Sequence, residues 1–407
     1  MPEMKPSTYP LLSVDETQEI IRSHIRTLPI EQVWLNQALG RVLAQDISAE
    51  ADAPPYPVSG VDGYAVASSD GSAPRRVIAE LTAGGPRVAG IQSGEAARIM
   101  TGAPLPSGSD AVVMVEDTAE ADGVVTLTTH PRPGDNVRPR GVDLTAGQAI
   151  LSAGTRLGSA EIALLASVGA VEVPVYRRPA VAVLATGDEV RPAWQVPAAG
   201  QVRDSNQIAL LAAIAEAGAA PVSLGIARDD VAEQTARIQA GFAQADVVLT
   251  SGGVSVGSRD LVKPILESLG QIHVGRVAVK PGKPLTFATV GDKLFFGLPG
   301  FPVSTLVTFE VFVRPVLLAM QGHSVSTRPR VEVVLAEPTR PAPDRTEYQR
   351  AIVRFDGHRL SATTTGAQVS SRLMSMVGAN ALIIIEPGTE PMPAGSRVPA
   401  LLTGPLA

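Results

Sequence analysis

Residues 250–260 read TSGGVSVGSRD and stand between the apolar run DVVL and a helical pattern, where a strand should turn into a helix. Gly252, Gly253 and Gly257 let backbone come close to a ligand, and Ser251 and Ser255 add hydroxyl donors, so the turn suits a phosphate or a polar ring. No Gly-Lys-Ser/Thr closes it and it holds no Gly-x-Gly-x-x-Gly, so it is either a phosphate turn of another kind or an ordinary glycine-rich turn. Asp260 adds an oxygen ligand for magnesium, an ion that takes one or two protein carboxylates beside phosphates and water. An earlier turn, ATGDEV, sets Asp188 and Glu189 at the end of the apolar run VAVLA. Two adjacent carboxylates there suit a divalent cation or substrate positioning, and equally a solvated loop. Asp204, in VRDSNQ at the start of the next helical pattern, is either a helix N-cap or a further ligand facing the same crevice.

Residues 280–304 read KPGKPLTFATVGDKLFFGLPGFPVS. Pro281 and Pro284 stiffen the backbone around Lys280 and Lys283, so two ammonium groups are displayed with little loop entropy left to lose, an arrangement that invites an oxyanion. The loop through Pro299, Gly300 and Pro302 leads into an apolar helix with Ser304 where an N-cap belongs, and a helix start carries free N–H groups and partial positive charge. The alternative is two solvated lysines and a capped helix. Weaker signals are Asp62-Gly63, which reads as a hairpin turn, Arg138 with Arg140 as a surface cluster, and Arg345, Arg350, Ser370, Ser371 and Ser375 near the C-terminus.

These turns need a scaffold, and the bulk properties narrow it. The chain has 407 residues, 45% of them hydrophobic, so it can bury sizeable cores and its length favours several domains. It has no cysteine and five histidines, which excludes disulfides and thiolate metal sites and points any metal toward hard, oxygen-bound ions. A net charge of -6 with 4% aromatics argues against a nucleic-acid binder. The N-terminus reads MPEMKPSTYP, without a basic start and apolar run, and the expected location is cytoplasmic.

Along the chain, SVDETQEIIRSHIRTL opens on a Ser-x-x-Glu capping box and predicts an N-terminal helix. A Pro/Gly-rich stretch of short alternating strands follows, then a second helical pattern at 158–170, expected to pack on the first. From Pro179 strands alternate with amphipathic helices, which implies a mostly parallel sheet covered on both faces, with ligands beyond the carboxyl ends of its strands. Short strands return after GHSVSTRP. The expected architecture is α/β plus β and multi-domain. Its parts are a discontinuous helical domain over 1–46 and 143–178, an inserted β-rich domain over 47–142, a doubly wound α/β domain over 179–327, and a small C-terminal β domain over 328–407.

Taken in order, SGVDGYAV, TGAPLPSGSDAVVMVED, GDNVRPRGVDL, ATGDEV, RDSNQ, TSGGVSVGSRD, KPGKPLTF and GLPGFPVS resemble the successive signatures of the molybdopterin molybdenumtransferase family, the bacterial MoeA family related to the gephyrin E domain. The resemblance runs over nearly the whole chain. It implies an elongated homodimer with a helical linking domain, an inserted β domain, a molybdopterin-binding α/β domain and a C-terminal β-barrel-like domain. It implies that molybdenum from molybdate is inserted into adenylylated molybdopterin with magnesium, yielding molybdenum cofactor and AMP, and that a molybdopterin adenylyltransferase supplies the substrate. A tungstate-preferring insertase and a non-catalytic molybdopterin-binding or scaffold paralogue are the alternatives. By motif, Asp62, Thr101, Asp188, Glu189, Lys280 and Lys283 would be catalytic, and Asp204 and Asp260 would hold metal. Ser251, Gly252, Gly253, Ser255, Pro284, Pro299, Gly300, Pro302, Ser304, Arg350 and Ser375 would bind substrate. The sequence departs from the family at Phe301, where Asn is usual, and at VSGV before Asp62, where the family has Asn-Ser-Ala-Met.

Overall fold

The computed structural model describes residues 9–85, 90–253 and 261–406. Contacts group the chain into two compact units, one of residues 1–32, 40–44 and 174–407 and the other of residues 33–39 and 45–173. Helix α1 (Val14–Ser23) starts on the expected capping box: the Glu16 N–H donates to the Ser13 hydroxyl and the Ser13 N–H donates to the Glu16 carboxylate at 2.8 Å. Its buried Val14 and Ile21 belong to the α/β core of the first unit, while the second helical pattern falls in the other unit.

The second unit is built on a six-stranded sheet of β1 (Gly63–Val66), β2 (Arg75–Leu81), β3 (Glu95–Ile99), β4 (Ala111–Met114), β5 (Thr118–Ala121) and β6 (Val124–Leu127), in the order β4-β1-β3-β2-β6-β5. Alternation splits its strands between two cores: Tyr64 and Val66 pack with Val113 and Val125, while Ala65 packs with Ile99 and Val112 on the opposite face. Asp62-Gly63 is not a hairpin turn. Gly63 opens β1 opposite Ile99 and Met114, and a Cβ there would lie 1.9 Å from the Val113 carbonyl oxygen, so the glycine answers to close strand packing. Arg138 pairs with Asp143 at 2.5 Å on the surface. Helix α2 (Ser159–Ser167) follows.

In the first unit β7 (Ala180–Thr186), α3 (Asn206–Glu216), β8 (Ala220–Ala227), α4 (Val231–Gln244), β9 (Val247–Ser251), α5 (Val262–Leu269), β10 (Gln271–Val274), β11 (Thr286–Val290) and β12 (Lys293–Leu298) give a sheet of order β8-β7-β9-β12-β11-β10. The first four strands in that order are parallel, and β11 and β10 run antiparallel at the edge. Near-continuous apolar strands arise because both faces are covered: Val181, Val183, Leu249 and Phe296 face one core, and Ala182, Leu184, Val248 and Phe295 face the other. Helix α6 (Pro302–Met320), with a π-helical turn at Phe309–Val313, lays Val303, Val307, Phe309, Phe312 and Leu317 into the first of these cores. Each such burial contributes about 1.5–3 kcal/mol. A mean hydropathy of 1.7 over its length would suit a membrane span, but 67% of it is buried inside the protein.

The C-terminal strands β13 (Arg330–Leu335), β14 (Thr346–Phe355), β15 (Leu360–Thr364), β16 (Ala381–Ile385) and β17 (Arg397–Leu402) follow the order β14-β15-β13-β17-β16, and a β14–β16 pairing closes them into a barrel. The short strand Val279–Lys280 pairs in parallel with Thr346 and Glu347 of β14.

Candidate active site

A cavity of about 840 Å³ opens at the carboxyl ends of the parallel strands. Ten of the residues singled out from the sequence line it: Glu189, Asp204, Ser251, Gly252, Gly253, Pro284, Pro299, Gly300, Pro302 and Ser304. The loops after β7, β9 and β12 and the start of α3 therefore converge on one space.

Local chemistry fixes those loops. Gly252 has φ +96°, and a Cβ on it would lie 2.9 Å from both the carbonyl oxygen and the hydroxyl of Thr186, so only glycine lets the turn after β9 lie against the end of β7. The Glu189 carboxylate folds back over Gly187, where a Cβ would meet it at 2.7 Å. Asn206, at the first position of α3, is the tie between loops. Its side-chain amide donates to the Ser251 hydroxyl and to the Gly300 carbonyl, each at 2.7 Å, while its Oδ1 is buried with no partner among the described residues.

Asp204 is buried and lines the cavity, and its Oδ1 accepts the Gln207 N–H at 2.9 Å, although the N-cap residue of α3 is Ser205. Burial pushes its carboxyl above the ordinary carboxylate value, against the pull of the Gln207 and Asn206 N–H groups. Asp188 lies outside the cavity lining and accepts the Asp229 N–H at 3.2 Å, whereas Asp229 itself lines the cavity.

Helix α6 begins one turn earlier than Ser304 as a cap would require. Phe301 is the N-cap residue, with no side-chain hydrogen bond to the helix, and Ser304 sits in the first turn, buried and lining the cavity. Pro302 explains the start, since its fixed φ and missing N–H suit the first helical position.

Lys280 and Lys283 do not line the cavity, although Pro284 does. Lys280 reaches the barrel, where its ammonium lies 3.1 Å from the nearly fully buried Glu347 carboxylate. The loop between the lysines packs on α6: Gly282 has φ +124°, and a Cβ there would come 2.3 Å from the Thr308 methyl.

Two further pairs of residues singled out from the sequence contact one another and do not line this cavity. In the barrel, the fully buried Arg350 donates through Nε to the Ser375 hydroxyl at 3.2 Å, and its Nη1 has no partner among the described residues. Burial lowers the Arg350 pKa to about 10 against the support of Glu347, so the guanidinium stays charged at neutral pH. The loop before Ser375 is stitched to the start of α6 by the Val303 N–H donating to the Ser370 carbonyl at 3.2 Å. In the second unit, the N–H and hydroxyl of Thr101 both donate to Asp62 Oδ1 at 2.7 Å and hold that carboxyl below its ordinary value. Ser255 and Asp260 lie outside the described residues.

Family models match three successive stretches: the MoeA N-terminal region (domain I and II) over residues 12–169, a probable molybdopterin binding domain over 182–319, and the MoeA C-terminal region (domain IV) over 332–403. A molybdopterin molybdenumtransferase of Nostoc is 41% identical, over 79% of this chain and 77% of that protein. This chain belongs to the molybdopterin molybdenumtransferase family. Gephyrin of Dictyostelium discoideum is 34% identical over 98% of the chain, which spans 63% of gephyrin's length. The crystal structure of a molybdopterin biosynthesis MoeA protein from Pyrococcus horikosii aligns with a TM-score of 0.83 at 32% identity, covering 97% of this chain and 100% of that one. Among the cavity residues given no role in the sequence reading of this molybdenumtransferase-family member are Arg203 and Asn206, which the motif RDSNQ contains, and Asp229. Only the position of Asn206 at the head of α3 carried a signal, and an asparagine there reads as a capping residue.

Proposed function

We propose that the chain transfers molybdenum from molybdate into adenylylated molybdopterin, releasing AMP and forming molybdenum cofactor in a magnesium-dependent reaction. The observation that supports the reading is the single cavity on which the Ser251–Gly253 turn, the start of α6, Glu189 and Asp204 converge. In this reading the backbone-exposing turn and the positive end of α6 take the substrate's phosphates. Arg350 with Ser375, Lys280 and Lys283 form the oxyanion side. Thr101 keeps Asp62 ionised, and Asp188 orders the loop at Asp229.

The described residues contain no cluster of three carboxylates or histidines suited to a metal. The donor set nevertheless fits magnesium, which needs only one or two protein carboxylates, and the raised Asp204 carboxyl is the kind a cation would return to its charged form. Glu189 and Asp204 would hold the ion, with Asp260 assigned to the same set. Bound there, it would supply positive charge to offset that on the substrate's phosphate oxygens. No protein thiolate takes part, since the chain has no cysteine and the soft ligands belong to the substrate's dithiolene. Assembly as a homodimer, cytoplasmic location and supply by an adenylyltransferase belong to the same proposal.

The test is incubation of purified protein with adenylylated molybdopterin, magnesium and either molybdate or tungstate, following AMP release and cofactor formation. Oxyanion-dependent AMP release is expected, and its absence with both anions would sink the reading. Lys283→Ala is expected to raise the apparent KM for the oxyanion about tenfold, one charge-assisted contact, with an unchanged unfolding midpoint. An equal loss of folding and activity would make the lysine structural.

A further inference from the structure

An isolated exposed phenylalanine carries no message by itself; Phe301 differs in its setting. It is 60% exposed, lines the cavity, and belongs to none of the buried clusters of the first unit. It occupies the N-cap of α6 in an extended conformation, φ −77° and ψ 132°, but makes no side-chain capping bond, so the helix gains nothing from its ring. The backbone around it is held on both sides. Asn206 donates to the Gly300 carbonyl at 2.7 Å, the Thr305 N–H donates to the Phe301 carbonyl at 2.9 Å, and the Thr305 hydroxyl donates to the Pro299 carbonyl at 2.6 Å. An apolar, largely exposed ring is thus set on a fixed main chain in the cavity lining, with only two side-chain torsions to restrict when it is covered.

We propose that Phe301 is a stacking platform for the planar nitrogen heterocycle of the ligand, and so a specificity-determining residue for the site. The inference rests on the proposed function, which supplies two such rings, the pterin and the adenine of the adenylylated substrate. A phosphate at the first turn of α6 and a ring on the residue preceding that turn lie within one ligand's reach, so both ends of the recognition fall on one loop. The residue gives up a helix cap for a contact with ligand, which makes stability and affinity move in opposite directions when it is replaced.

The experiment measures calorimetric affinities of AMP, ribose 5-phosphate and 6-hydroxymethylpterin for the wild-type protein and for Phe301→Ala, Phe301→Asn and Phe301→Trp, with unfolding midpoints for each. A base–aromatic stack corresponds to roughly tenfold in affinity. The ring-bearing ligand that uses Phe301 is expected to bind Phe301→Ala and Phe301→Asn about tenfold more weakly and Phe301→Trp at least as well as wild type. Ribose 5-phosphate should be indifferent to all three changes, and Phe301→Asn should melt higher than Phe301→Ala. Loss confined to AMP identifies adenine as the stacked ring, and loss confined to the pterin identifies that ring. If neither AMP nor the pterin loses affinity in Phe301→Ala, or if wild type binds ribose 5-phosphate alone, the stacking proposal is overturned while the cavity reading stands. If wild type binds none of the three ligands, the cavity reading fails and takes the proposal with it.

Discussion

Asn206 offers a test of how the cavity is held together. Its amide nitrogen donates to the Ser251 hydroxyl and the Gly300 carbonyl at 2.7 Å each, and its Oδ1 is buried without a partner among the described residues. Truncation in Asn206→Ala removes two hydrogen bonds worth about 1 kcal/mol each, but also removes an unsatisfied acceptor that costs about 1–3 kcal/mol. The sum is near zero, so the unfolding midpoint should move by no more than a few degrees. Asn206→Asp has the same shape and should fare worse. The Ser251 hydroxyl can rotate to donate, but the Gly300 carbonyl cannot, so a carboxylate oxygen is left facing a carbonyl oxygen at the former bonding distance. Losing that bond and burying charge beside an acceptor costs about 2–4 kcal/mol. Urea titration of wild type and both variants measures the order, and AMP affinity should fall in both as the loops separate. An Asn206→Asp protein as stable as Asn206→Ala would refute the claim that Asn206 acts as a double donor between loops.

Two predictions concern acidity. Asp246 is partly buried, which raises its carboxyl, but the Arg177 fork at 2.8 and 2.9 Å and the Ala180 N–H outweigh burial and hold it below its ordinary value. Its contribution is present above the usual carboxylate range and lost as pH falls through the lowered value. Asp246→Asn should therefore cost about 1–2 kcal/mol at pH 7, since Arg177 is partly exposed and solvent screens the pair, and flatten the acid limb of a urea-midpoint curve; an unchanged limb would assign acid sensitivity elsewhere. His273 is held below the ordinary imidazole value of about 6.5 by burial and by neighbouring His24, whose ring centroid is 4.0 Å away. The unfolded chain takes up a proton that the folded one resists, so stability should rise with pH up to about that value and level off above it. His273→Gln should remove that slope, and a persistent slope would show that the pair does not set it.

The parts of the site carried by backbone conformation were legible in the sequence. Gly252 and Gly253 after an apolar run, and a glycine-proline loop before an apolar helix, each have one mechanical use, and both are found at the cavity. The parts that depend on where a flexible side chain goes were not. Lys280 and Lys283 are stiffened by prolines, yet stiffness does not give direction, and Lys280 turns to Glu347 on a strand whose partnership with Val279–Lys280 spans a long separation in sequence. Ser304 resembled a cap because serine prefers that position, while Pro302 goes with a helix start about one turn earlier, capped at Phe301. The strand–helix alternation predicts the parallel sheet, but the antiparallel pairing of β11 with β12 follows from a tight turn at Gly291, with φ +59°, rather than from any difference in hydrophobic pattern. Helix α1 is expected from its sequence to pack on the pattern at 158–170; its Val14 and Ile21 join the α/β core, a destination that an apolar stripe alone does not specify.

Helix α6 bears on how the chain is made. It is long and apolar enough to partition into a lipid bilayer, and its buried face rests on Val181, Val183, Leu249, Phe296 and Leu298. All of those residues precede it, so during synthesis from the N-terminus the strands that shelter it leave the ribosome first. The helix emerges onto a sheet already able to receive it. A circular permutant opened at the loop before Pro302 would reverse that order, presenting a free apolar helix to chaperones and membranes before its shelter existed, although its final native contacts would be the same.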